Sequence, residues 1–127
     1  MTPEVAAHIE VARGDLTDAK KLASLGFIKI AARCTYRAAF HPAEAYIFER
    51  NAKVTKTHSG VRTELSRLLK GTPFVGEPLP AFLARSYRFK EISDYGKPGD
   101  IVTEAEMRGA IEGAERFVDR IVEMLAN

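Results

Sequence analysis

Apolar residues recur at helical spacing along most of this chain. Val5, Ile9, Ala12, Leu16, Ala19 and Ala23 follow one another at steps of four and three. That spacing lays one apolar stripe along a helix ending near Ser24. Thr2-Pro3-Glu4 supplies its start: a capping hydroxyl, a proline in the first turn, then an acid. Gly14 weakens the pattern without stopping it, and Gly26 offers a C-cap. A second helix is expected over residues 27–51. It is apolar over most of its circumference, so it should be packed on several sides and lie centrally. Pro42 sits inside it and should kink it by removing a backbone hydrogen bond.

Residues 53–57 are polar and read as a connection. Thr57 or Ser59 could cap a third helix that buries Val61, Leu65, Leu68 and Leu69 and ends at Gly71. Pro73, Gly76, Pro78 and Pro80 mark a loop. A fourth helix then places Leu79, Phe82, Ser86, Phe89 and Ile92 on one face, with Leu83 and Tyr87 beside it. A second loop covers residues 95–100. Thr103 and Glu106 fit a capping box, after which Met107, Ile111, Ala114, Val118, Ile121 and Leu125 keep steps of four and three. No strand-like alternation of any length occurs. The expectation is an all-α, single-domain, up-and-down bundle of about five helices spanning residues 1–127.

Composition bounds the function more than it names it. Hydrophobic residues make up 46% and charged residues 28%, a globular balance that argues against disorder. Cys34 is alone, so no intramolecular disulfide and no cysteine cluster for zinc can form, which fits a reducing, cytoplasmic compartment. There is no signal-peptide pattern, and no stretch nears the roughly 20 apolar residues of a membrane span. Net charge is +2, too small to argue for nucleic acid by itself. Its distribution is uneven. Residues 49–70 carry six basic against two acidic side chains, net +4, whereas residues 101–127 carry net −3. Solvated helix faces of opposite bias account for this.

The polar positions of the second helix are ordered. Lys29, Arg33, Arg37 and His41 are four apart, and Glu44 follows three later. Residues four apart are neighbours on a helix, drifting by roughly 40° per step. Cations in a row repel unless an anion lies across them, and guanidinium matches phosphate bidentately. His41 can exchange a proton near neutral pH. The competing explanation is a plain solvent stripe. Lys56-Thr57-His58-Ser59-Gly60 is a second candidate: amides at a helix start attract anions, and Lys56 and His58 add donors. An N-cap with two solvated neighbours is the plainer explanation. Asp94-Tyr95 closes the fourth helix as a polar end and a core edge, and His8 has no partner by spacing. No phosphate loop, dinucleotide fingerprint, zinc motif or nucleophile elbow is present, so no cofactor or metal is expected.

The run Ala-Ala-Arg-Cys-Thr-Tyr-Arg-Ala-Ala-Phe-His at 31–41, the stretch Ala43 to Arg50, and Lys56-Thr57-His58-Ser59-Gly60-Val61 resemble the HEPN superfamily. The likeness is to small bacterial members with an Arg-x-x-Tyr-x-x-x-Phe-His core and a Lys-Thr-His-Ser-Gly turn. Asp94-Tyr95 and the terminal helix also fit, so the resemblance covers nearly the whole chain. It implies a helical bundle, usually a homodimer with its second and third helices near the interface. Many such proteins are toxins paired with a small nucleotidyltransferase antitoxin. Active members are metal-independent endoribonucleases with an Arg, four to six residues, then a His; the Arg holds the scissile phosphate and the His moves a proton. Here seven residues separate Arg33 from His41, and three separate Arg37 from His41. The tyrosine that partner nucleotidyltransferases modify in some members corresponds to Ala43.

Two functions follow as expectations. One is an RNase toxin, with His41, Arg33 and Arg37 catalytic and Lys29, Lys56 and His58 binding RNA or a nucleotide. The other is a non-catalytic nucleotide- or protein-binding module that partners a nucleotidyltransferase.

Overall fold

The computed structural model describes residues 1–52 and 55–126. Lys53 and Val54, which fall in the connection expected over 53–57, and Asn127 lie outside the described residues. Five helices follow in order: α1 (Pro3–Ser24), α2 (Ile28–Asn51), α3 (His58–Leu68), α4 (Leu79–Tyr95) and α5 (Glu104–Leu125). The described residues contain no strand, and the architecture is all-α.

The capping residues read from the sequence set the helix starts. The Thr2 hydroxyl accepts from Val5 N–H. Thr103 and Glu106 exchange both bonds of a capping box. Thr57, rather than Ser59, caps α3 by accepting from Gly60 N–H at 3.0 Å. At the end of α1, Gly26 takes a φ of +84°. Its N–H donates to the Ala23 carbonyl, and Phe27 N–H donates to that of Leu22. This pair of bonds is a Schellman closure, which turns the chain straight into α2.

α2 touches all four other helices. The faces it turns to them are built largely from alanine: Ala31, Ala32, Ala38, Ala39, Ala43 and Ala45 are all buried. Small side chains let neighbouring helices approach closely. The helix continues through Pro42, which is itself buried. A large core cluster joins Val5, Ile9 and Leu16 of α1 to Ile47, Val61, Leu65, Leu83, Phe117 and Ile121. A smaller one at the other end gathers Ala19, Ala31, Phe89, Ile92, Met107 and Ile111. Of the residues expected to be buried, Ala23 and Leu68 are only half-buried. No helix among the described residues is long and apolar enough to cross a membrane.

The glycine in the α3 turn has a steric reason. A Cβ on Gly60 would stand 2.6 Å from the Thr57 hydroxyl oxygen that caps the helix, and 3.0 Å from a Thr55 methyl. Gly60→Ala should therefore displace the cap and cost about 1 kcal/mol. With Thr57→Ala already in place, the same substitution should be close to neutral, because there is no cap left to lose. Chemical denaturation of the two single variants and the double variant measures this coupling; an equal cost in both backgrounds would refute it.

Candidate functional site

The faces of α2 left open by its neighbours carry the basic row. Each arginine meets a carboxylate from a flanking helix. Arg33 Nε donates to Asp94 Oδ1 of α4 at 2.9 Å, and Lys90 Nζ lies 3.3 Å from the other oxygen. The Arg33 hydrogen bond holds the Asp94 carboxyl below its usual range, with Lys90 adding to the effect. Arg37 Nε stands 3.7 Å from Asp15 Oδ2 of α1. That is an electrostatic contact but too long for a hydrogen bond, which agrees with Asp15 Oδ2 being buried without a hydrogen-bond partner. Burial pushes the Asp15 carboxyl up, against the pull of Arg37 and His41.

Both arginines are thus engaged through Nε. Their terminal amino groups donate no hydrogen bond among the described residues, and the side chains are 34% and 50% exposed. The guanidinium forks remain available to an anion. Lys29 is exposed at the start of α2.

His41 sits further along the same row. Its Nδ1 lies 3.3 Å from Glu44 Oε1, which leaves Nε2 for a ligand. The His8 ring of α1 stacks near it, with centroids 6.2 Å apart and planes 25° from parallel. The carboxylates on the row are therefore Asp94, Asp15 and Glu44. Glu49 is not among them; its Oε2 is buried without a hydrogen-bond partner.

Lys56 and His58, two residues apart, face different surroundings. Lys56 is exposed and lines a groove with His8 and Glu44. His58 packs between α2 and α4. Its ring stacks on Tyr87 at 3.9 Å and 11°, and its Nδ1 lies 3.0 Å from the Tyr36 hydroxyl. Burial, helped by Arg62, lowers the His58 pKa. Burial likewise pushes the Tyr36 phenol well up. The Tyr36 hydroxyl and His58 Nδ1 share one hydrogen bond, whose direction is set by the imidazole tautomer. Lys90 lies over Tyr87 at 5.7 Å, tying this cluster to Asp94 and Arg33. Tyr95, expected at a core edge, is 76% exposed.

Cys34 is half-buried, and burial raises its thiol pKa, so it is no activated nucleophile. No group of three or more His, Cys, Asp or Glu side chains that could hold a metal ion occurs among the described residues. The strip therefore brings two exposed arginine forks into one row with an imidazole, a set of groups suited to an anion.

The family model described as HEPN domain matches residues 5–125. The chain belongs to the HEPN family. A protein of Methanocaldococcus jannaschii named "Putative toxin MJ0605" is 32% identical to this HEPN chain over 122 residues, covering 96% of this chain and 89% of that protein. The matched region takes in the whole α2 row, the α3 turn and Asp94.

Sequence reasoning left His8 and Asp15 without a role, because their spacing within α1 gives no hint of what α2 sets beside them. Asp94 was noticed, but not as the partner of Arg33.

The lowered His58 pKa has a consequence for stability. The unfolded chain gains a proton at this residue near pH 6.5, while the folded chain resists it. The contribution is complete above the unfolded pKa and is lost as pH falls through the folded one. Urea denaturation at pH 7.5 and pH 5.5 should show wild type losing more stability on acidification than His58→Gln. Equal losses would show that His58 does not titrate differently on folding.

Proposed function

We propose that this HEPN protein is a toxin-like, metal-independent endoribonuclease acting at the exposed strip of α2. It would work in the cytoplasm as a homodimer of single-domain chains, with a nucleotidyltransferase as antitoxin. The carrying observation is that Arg33 and Arg37 each face a carboxylate through Nε and donate no hydrogen bond from their terminal amino groups. They share one row with an imidazole whose Nδ1 lies 3.3 Å from Glu44. The name of the archaeal relative supports the toxin-like part of this reading.

Helix geometry divides the roles. Arg37 is about 6 Å along the axis from His41, and Arg33 about 12 Å. Arg37 can share one phosphate with His41, whereas Arg33 suits the neighbouring phosphate. In the reaction, His41 Nε2 takes the proton of a ribose 2′-hydroxyl as that oxygen bonds to phosphorus. The bond from phosphorus to the 5′-oxygen breaks, and the leaving oxygen receives a proton from the imidazolium or water. The products are a 2′,3′-cyclic phosphate and a 5′-hydroxyl end. Arg37 offsets the charge that builds on the phosphoryl oxygens. Lys29 and Lys56 attract the flanking backbone. His58, locked to Tyr36 and Tyr87, holds the α3 turn that presents Lys56.

A second reading has its own support. Asp94, Asp15 and Glu44 already face the row, as they would in a non-catalytic nucleotide- or protein-binding module. RNA cleavage in the presence of chelator separates the two. His41→Ala should lower the rate by about 10²–10⁴-fold and relieve any growth arrest on expression. Arg37→Lys should also lose activity, since an ammonium cannot grip phosphate bidentately. Intact RNA with the wild-type chain, together with unchanged toxicity of His41→Ala, sinks the nuclease reading.

A further inference from the structure

A groove of about 280 Å³ lies between the start of α1 and the second half of α2, lined by Glu4, Val5, His8, Glu44, Ala45, Phe48, Thr55 and Lys56. Its size is near the lower end of the roughly 300–1,000 Å³ typical of small-molecule pockets. His41 adjoins it twice, through the ring of His8 and the carboxylate of Glu44. Val5 and Ala45 are buried and apolar, whereas the Phe48 ring is 44% exposed.

The chemistry of this lining is wrong for phosphate and right for a base. Among the described lining residues, two carboxylates, Glu4 and Glu44, stand against one lysine, a balance that disfavours phosphate within the groove. Phe48 and the His8 imidazole offer aromatic surface, and unstacked RNA bases are held on such rings and read along their hydrogen-bonding edges. Glu44 already lies 3.3 Å from His41 Nδ1. Glu4 is exposed and makes no ion pair or hydrogen bond among the described residues.

We infer that this groove is a nucleobase subsite that selects guanine: the base packs on Phe48 and His8, and the Glu4 carboxylate accepts from its edge. Guanine presents N1–H and N2–H side by side, which two carboxylate oxygens can accept together. Adenine and cytosine present one amino group beside a ring-nitrogen acceptor. Uracil places its only N–H between two carbonyls, which the carboxylate repels. Lys56, at the rim, meets the phosphate of the nucleotide so held, and the adjoining sugar lies toward His41. This extends the nuclease reading by naming the base at the cleavage site, and it rests on that reading for its purpose, though not for its binding chemistry.

The test has a binding arm and a cleavage arm. Guanosine and uridine 5′-monophosphates are titrated separately into the full chain and followed by NMR. Guanosine monophosphate should shift resonances of Val5, Ala45 and Phe48, and the uridine nucleotide should bind at least about tenfold more weakly. Phe48→Ala should weaken guanosine monophosphate by about tenfold. Glu4→Gln should erase the preference between the two nucleotides. Equal affinity for both, or shifts that map away from these residues in a variant that is still folded by circular dichroism, overturns the subsite. In the cleavage arm, the sequences at the cut ends should show guanine enrichment that Glu4→Gln removes. Guanosine monophosphate binding in the groove by a chain that leaves RNA intact upholds the subsite while sinking the nuclease reading. Cleavage without any guanine preference does the reverse.

Discussion

The alanine faces of α2 are the constraint on which everything else depends. Four helices pack against one, and they can do so because Ala31, Ala32, Ala38, Ala39, Ala43 and Ala45 leave room for them. A helix covered on so many sides has few places for charge. Its arginines and His41 are confined to the faces left open, and steps of four keep them in register. The same packing brings α1 and α4 alongside, so the carboxylates that meet the row belong to those helices. A bulky residue at one of the alanine positions would disturb core and site together.

Two arginine–carboxylate contacts decide how the row behaves. A bare row of cations would be strained, and a fully buried one would be inert. Here each arginine is steadied on its inner side while its outer groups stay available. Arg33 is held by a true hydrogen bond, and Arg37 by a looser electrostatic contact. Arg37 is therefore the less constrained of the two, and in the proposed reaction it is the one that shares a phosphate with His41. The off-pattern spacing between arginine and histidine is accommodated if the two arginines serve successive phosphates.

Most of the fold was legible in the chain. The hydroxyl caps at Thr2 and Thr103, the glycine closures and the stripes at steps of four and three are local signals, and local signals survive folding. The row on α2 was legible for the same reason, since all of its members ride on one helix. The partners were not. Whether Asp15 or Asp18 faces Arg37 depends on how α1 sits against α2, and no spacing within either segment encodes that. His8 met His41 by the same unreadable register. Lys56 and His58 show the opposite problem. They are neighbours in the chain, yet one lines an open groove and the other is stacked on Tyr87.

The role proposed for Arg33 and Arg37 is to bind RNA phosphates together. It is tested most directly by the salt dependence of RNA affinity in a His41→Ala background, where any cleavage is slowed. Binding of a single-stranded oligonucleotide is followed by fluorescence anisotropy over a series of salt concentrations. Each neutralised phosphate contributes about 0.7 to the slope of log K against log salt. Adding Arg33→Ala and Arg37→Ala should flatten that slope by about 1.4. An unchanged slope and affinity would mean that the row serves its own carboxylates and nothing else.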